Sequence, residues 1–319
     1  MAPNYGNNAF EVELLTTQFT STLDLLLQQM VSVMRPLVDS AMYVGKQASP
    51  VQQIGVLELK QPSGRYSPIT PQVPNYTRRW VFPNDRDIAV LVDQFDELRT
   101  IVDPKSGISA ATAAAVGRYF DDLIINAANG TASTGVDSSN FSTENFASTV
   151  STSGGYLVAD TFGASASTGM TYPKLVEAWR VMRHAQVDLR AERPCVIISS
   201  QQEADLKKQQ EVISSEYRAG MAMTDRGDVM SVGGFDVHVS ERLNSSSSTT
   251  LRNCLAFVRS GLHLGMWKDM AIRIDNRIDL TSQPWQLYGM VSAGATRTQL
   301  FKVVQINCAD TTGFDPTAP

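Results

Sequence analysis

Six prolines crowd into residues 47–87: Pro50, Pro62, Pro68, Pro71, Pro74 and Pro83. Each lacks a backbone donor and holds φ at about −65°, so no long helix can run through this segment. Two β-like runs bracket it, Ile54-Gly55-Val56-Leu57-Glu58-Leu59 and Thr77-Arg78-Arg79-Trp80-Val81-Phe82, with polar, proline-punctuated chain at residues 61–75 between them. The pattern is that of a long extended hairpin with a stiffened tip. It holds Arg65, Tyr66, Arg78, Arg79 and Trp80, residue types enriched where proteins touch one another. A solvated loop is the plainer alternative.

On either side the periodicity changes. Residues 10–34 read as an amphipathic helix, because Phe19, Leu23, Leu26, Leu27, Met30, Val33 and Met34 recur at three- and four-residue spacing and Pro36 blocks continuation. Such a face needs a surface, in its own domain or on a neighbouring subunit. After the hairpin, residues 88–92 form a strand that leads into an acidic turn at 93–97. The clearest helix spans 109–128: it is Ala-rich, places Ala111, Ala115, Val116, Tyr119, Leu123 and Ile124 on one face, and meets a stop at Asn129-Gly130. Ser, Thr and Gly then make up 22 of the 41 residues from 130 to 170, and no Lys or Arg falls between Arg118 and Lys174. That composition predicts a long surface excursion.

Helix and strand alternate afterwards. A helix is expected over 172–190, a wholly apolar strand over 194–198, and a capping box at Ser200-Gln201-Gln202-Glu203 opening a helix over 204–217. Strands follow at 235–240, 254–258, 271–275, 285–291 and 299–306. The fold class is α+β.

Chemistry is sparse. Cys195, Cys254 and Cys308 are scattered and form no CxxC pair, so they read as buried small hydrophobes. His184, His238 and His263 have no second ligand at metal spacing, and phosphate-cradling and GxSxG signatures are missing. Asp121 and Asp122 point about 100° apart on a helix and read as a solvated face. No catalytic, cofactor or metal residue is assigned. A net charge of −5 argues against a dedicated nucleic-acid binder. No run reaches the ~20 apolar residues that span a bilayer. The first thirty residues lack a basic secretory n-region, so folding in a reducing cytoplasm is expected.

The order of elements is the informative part: helical arm, long hairpin, strand, long Ala-rich helix, then an α/β portion with returning strands. Local texture supports it, in Ile88-Ala89-Val90-Leu91-Val92-Asp93-Gln94-Phe95-Asp96-Glu97, Phe120-Asp121-Asp122-Leu123-Ile124, Arg193-Pro194-Cys195-Val196-Ile197-Ile198-Ser199 and Gly233-Gly234-Phe235-Asp236-Val237. This resembles the major capsid proteins of tailed bacteriophages, most of all short-tailed ones, with the Hong Kong 97-type fold of N-arm, extended E-loop, P-domain with spine helix, and A-domain.

The resemblance implies an N-terminal arm over 1–46, an E-loop over 47–86, a P-domain over 87–171 with its spine helix at 109–128 and an insertion at 130–170, a region over 172–283 that is mainly A-domain, and return strands over 284–319. It implies a non-enzymatic coat protein that assembles into hexamers and pentamers of an icosahedral shell around double-stranded DNA, held without sequence-specific binding. Phe19, Leu23 and Leu27 of the arm, with Arg65, Tyr66, Arg78, Arg79 and Trp80 of the hairpin, become inter-subunit contact candidates. The other implied partners are a separate scaffolding protein, because the leader before Phe10 is too short for a fused one, a portal at one vertex, and a decoration protein. The protein would reside in the virion capsid and assemble in the host bacterial cytoplasm, with no membrane partner. Two alternatives stand beside it: an encapsulin-type nanocompartment with the same fold, and a soluble α+β enzyme with a dispersed active site.

Overall fold

A computed structural model describes residues 28–61, 64–66, 68, 71–93, 104–135, 141–146, 156–209, 212, 229–243, 251–281 and 283–310. In chain order the strands of the N-terminal half are β1 (Asp39–Met42), β2 (Ala48–Ile54), β3 (Tyr76–Val81) and β4 (Asn84–Val92), followed by helix α1 (Pro104–Asn129) and β5 (Thr131–Gly135), β6 (Ser142–Asn145) and β7 (Leu157–Val158). Then come α2 (Tyr172–His184), β8 (Pro194–Ile198), α3 (Ser200–Lys207), β9 (Ser231–Val232), β10 (Phe235–Val239), β11 (Leu251–Val258), β12 (Leu262–Asn276), β13 (Trp285–Arg297) and β14 (Val303–Ala309).

These strands make three sheets. The first runs β1-β12-β13-β4, with β1 parallel to β12 and the other pairs antiparallel. Helix α1 lies along it, against β13, β12 and β4. It begins at Pro104, which suits a first-turn position where the missing N–H has no partner to lose. Its buried stripe runs through Ala114, Gly117, Phe120, Ile124 and Ala128. Of the face expected from periodicity, Ile124 is buried, while Ala111, Ala115, Val116, Tyr119 and Leu123 are only half-buried. The stripe is rotated because the helix is covered on a second flank: a Cβ on Gly117 would stand 3.1 Å from the Ser32 backbone nitrogen. At its end Gly130 does not take the left-handed conformation expected of it. Its N–H bonds Asn126 O at 2.8 Å, and a Cβ there would fall 2.4 Å from that oxygen.

The second sheet, β7-β14-β11-β8-β10-β9, carries the main core. Every residue of β8 is buried, as its uninterrupted apolar sequence predicts. Cys195, Cys254 and Cys308 are all free and buried, and burial pushes the Cys195 thiol up to about 12. Helix α2 packs on β14 and β7. It ends at His184 rather than at 190, because Gln186 turns left-handed at φ 63°. The capping box sits one residue earlier than expected. Ser199 is the N-cap of α3, and its N–H donates to Gln202 Oε1 at 3.1 Å. The helix expected over 204–217 ends at Lys207, with Lys208 as its C-cap, and of residues 210–217 only Val212 is described.

The third sheet, β2-β3-β5-β6, departs most from expectation. The hairpin strands β2 and β3 pair from Ala48↔Val81 to Ile54↔Tyr76. Residues 55–59, expected as strand, leave the ladder after Gly55 N–H bonds Asn75 O at 2.7 Å. The Ser/Thr-rich stretch is no mere excursion. Its first two strands complete this sheet, β5 on β3 and β6 on β5; Ala132 of β5 is buried, as is Phe146 just past β6. Pairing uses backbone groups, which a polar composition does not weaken.

The N-terminal expectation splits. Residues 10–27, with Phe19, Leu23 and Leu27, lie outside the described residues, and residues 28–34 are irregular rather than helical.

Candidate assembly interface

The root of the hairpin is internal. Arg79 and Trp80 are buried in their own chain. Arg79 Nε donates to Thr298 O at 2.7 Å, and its guanidinium pairs with Glu144 at 2.7 Å. Trp80 Nε1 donates to Gly135 O at 3.2 Å, and its ring meets Phe141 edge-on at 5.7 Å. Both were expected to face a neighbouring subunit; the partners seen here belong to the same chain and root the hairpin. Residue type alone does not reveal whether a partner comes from the same chain, and here strand β5 and Phe141 are that partner.

Outward from the root the character reverses. Val56 is 94% exposed, Leu59 105%, Tyr66 102% and Val73 90%, and Ile54 and Leu57 are exposed as well. Arg65 is exposed beside Tyr66, and Arg78 is half-buried. Soluble monomers rarely leave large apolar patches in water, and exposed apolar side chains gathered on one arm mark a candidate contact surface.

The body of the molecule holds a concave surface. A groove of about 720 Å³ opens beside α1, lined by Met30, Val31, Arg35, Phe120, Met270 and neighbours. Arg35 shapes its rim, pairing with Asp269 at 2.6 Å and lying 4.9 Å over the Phe120 ring. Its hydrogen bonds hold the Asp269 carboxyl below the usual carboxylate range. One side chain fixes this wall. Asp121 is fully buried and accepts from the side chain of Gln29, from Ser32 Oγ at 2.5 Å, and from the backbone N–H groups of Val33 at 3.1 Å and Met34 at 3.0 Å. Asp122 points elsewhere, to a two-point pair with Arg242 at 2.6 and 2.5 Å. The two carboxylates do diverge, as their spacing demands; the solvated-face expectation fails for Asp121, which is fully buried, while Asp122 stays partly exposed. Their partners lie about ninety residues or more away in sequence, beyond the reach of local pattern.

Among the described residues no group of three His, Cys, Asp or Glu is placed to hold a metal ion, and no helix is long and apolar enough to cross a membrane. His263 is buried, with Nε2 2.9 Å from Tyr43 Oη and Nδ1 3.6 Å from Asp39. Burial pushes it below its ordinary value of 6.5, with Asp39 pulling the other way. His238 is also depressed, by burial first, with Asp236 opposing. A depressed folded value means that stability is full above 6.5 and falls as pH drops through the folded values. We therefore expect the urea midpoint to fall on going from pH 7.5 to pH 5. His263→Gln should flatten that dependence, and a slope unchanged in this variant would exclude His263 as a source.

The whole chain can now be set beside known proteins. No curated protein sequence matches it. Solved structures do. The cyanophage Pam1 capsid asymmetric unit superposes with a TM-score of 0.71 at 14% identity, covering 98% of this chain and 100% of that one. The capsid of cyanophage P-SCSP1u gives 0.68 at 15% identity, covering 94% and 95%. The capsid of Ralstonia phage GP4 gives 0.65 at 12% identity, covering 100% of both. These likenesses carry the fold, and they span the hairpin, the long helix and the second sheet together. A family profile described as phage capsid protein matches residues 13–310. The chain thus belongs to the phage capsid protein family: it is a structural component of the virion that self-assembles into the capsid shell, built on the Hong Kong 97-type α+β fold of tailed-phage major capsid proteins.

Proposed function

We propose that, in the icosahedral shell this major capsid protein forms, the hairpin of one copy lies over the body of the next, in the groove beside α1, within hexamers and pentamers that enclose double-stranded DNA. The supporting observation is the exposure, among the described residues, of the hairpin's apolar side chains Val56, Leu57, Leu59 and Val73. In this reading Arg65, Tyr66 and Arg78 contact a neighbour, and Phe19, Leu23 and Leu27 of the arm supply a second contact. The divisions that fit this reading are an N-terminal arm to residue 46, the E-loop to 86, a P-domain around α1, an A-domain around the second sheet, and return strands from 284. A net charge of −5 suits a wall that holds DNA without gripping it. A separate scaffolding protein, a portal at one vertex and a decoration protein are its further partners, with assembly in the host bacterial cytoplasm.

Deleting residues 61–75 tests the hairpin. The expected product is a folded, soluble subunit or capsomer that forms no shell in negative stain. Leu59→Asp, at a fully exposed position, is expected to leave the unfolding free energy within about 0.5 kcal/mol and still block assembly. Normal shells from both variants would refute the hairpin's role.

A further inference from the structure

The junction between the hairpin sheet and the body is polar and centred on one side chain. Arg297, the final residue of β13, is fully buried. Its guanidinium donates to Ala128 O and Gly130 O, both at 2.9 Å, at the C-terminal end of α1. It also donates to Glu144 O on β6 at 3.1 Å and lies 4.9 Å over the Phe146 ring. Helix, body sheet and hairpin sheet therefore converge on it. At the next residue, Thr298 O accepts from Gln53 of β2 at 2.9 Å and from Arg79 of β3 at 2.7 Å. Glu144 closes the circuit: its backbone oxygen serves Arg297 while its carboxylate pairs with Arg79 at 2.7 Å. The approach leaves no room for slippage, since a Cβ on Gly294 would fall 2.1 Å from Phe82 O.

Chemistry suits this cluster to hold a direction. The last carbonyls of a helix carry partial negative charge and favour a cation. A guanidinium presents its donors in a rigid planar fork, which fixes orientation in a way that apolar contact does not. Burial, with Arg79 nearby, lowers Arg297 to about 10, so it remains a cation at neutral pH. Arg79 and Arg297 are both buried inside the chain, so this is not a contact between subunits.

We propose that Arg297, Glu144 and Arg79 form a joint that sets the angle at which the hairpin leaves the body, and thereby the curvature of the shell the chain builds. The proposal rests on the hairpin's bridging role, and the experiment separates the two. Glu144→Gln removes the carboxylate held by Arg79 while leaving the backbone oxygen that Arg297 uses. Arg297→Lys keeps the charge and loses the fork. Each full-length variant is measured by amide exchange as a subunit and by particle diameter after assembly. The expected result is exchange in residues 48–54 and 76–81 faster by about tenfold or more, unchanged exchange in β8 and β11, and a mixture of particle diameters where the native chain gives one. Asp122→Asn, which breaks an ion pair elsewhere on α1, should leave diameter and hairpin exchange unaltered. Native exchange in the hairpin, or native diameter, in Glu144→Gln would overturn the joint. So would the same size mixture from Asp122→Asn, which would make it a mere stability effect. Should Arg297→Lys fail to fold, Glu144→Gln decides alone. A native chain that forms no shell counts against the assembly reading, and hairpin exchange then decides the joint.

Discussion

Asp121→Ala is expected to lower the unfolding free energy by roughly 2–4 kcal/mol. Two backbone N–H groups, of Val33 and Met34, and two side-chain donors, of Gln29 and Ser32, all end on this carboxylate. Each buried donor left without a partner costs about 1–3 kcal/mol, and relief from burying a charge returns part of that. Asp121→Asn should be nearly as harmful, because its amide turns donors toward donors. Asp122→Asn is the contrast. Its pair with Arg242 is partly exposed on both sides, and such pairs contribute up to about 1 kcal/mol. Urea denaturation of the three variants orders them, and amide exchange at Val33 and Met34 should quicken only in the two Asp121 variants. Equal loss at both positions would show that the carboxylate is not what holds the segment.

Lys174→Ala is expected to lose roughly 3–4 kcal/mol. Lys174 is fully buried in the first turn of α2, an electrostatically poor place for a cation near a helix N-terminus. Burial accordingly pulls its ammonium below the usual lysine value. It is held by three carbonyls, Thr168 O at 2.8 Å, Gly169 O at 3.0 Å and Asn307 O at 3.1 Å, which tie the end of the Ser/Thr-rich stretch to β14. The alanine variant removes those donors and leaves a void. Lys174→Met fills the void without the donors and should recover part of the loss. If methionine restored full stability, packing alone would explain the buried lysine.

Local periodicity was a good guide to elements and a poor one to their partners. The apolar run of β8, the alternation of β10 and the long helix α1 stand where the sequence puts them, because each depends on residues within one or two turns. What covers them does not. The buried stripe of α1 is rotated because residues 28–34, some ninety positions away, lie on its other flank. Asp121, Lys174 and Arg297 are isolated charges in sequence, and their roles arise from carbonyls and N–H groups that carry no residue identity. The same limit explains residues 131–135 and 142–145, where Ser and Thr announced a loop while their backbone completed a sheet. For Arg79 and Trp80 the residue types suggested a contact, and the partners that the structure shows for them lie in the same chain.

The position of β14 has a consequence for synthesis. Residues 303–309 lie inside the second sheet, between β7 and β11. The first sheet likewise waits for residues 262–297 to flank β1 and support α1. A nascent chain still short of residue 309 has unpaired strand edges in its main core, and closing such distant pairings is slow. The subunit therefore matures after the ribosome has passed its final strand. A product cut short of residue 297 would lack Arg297 and the Thr298 carbonyl that root the hairpin, so such a chain is expected not to join a growing shell.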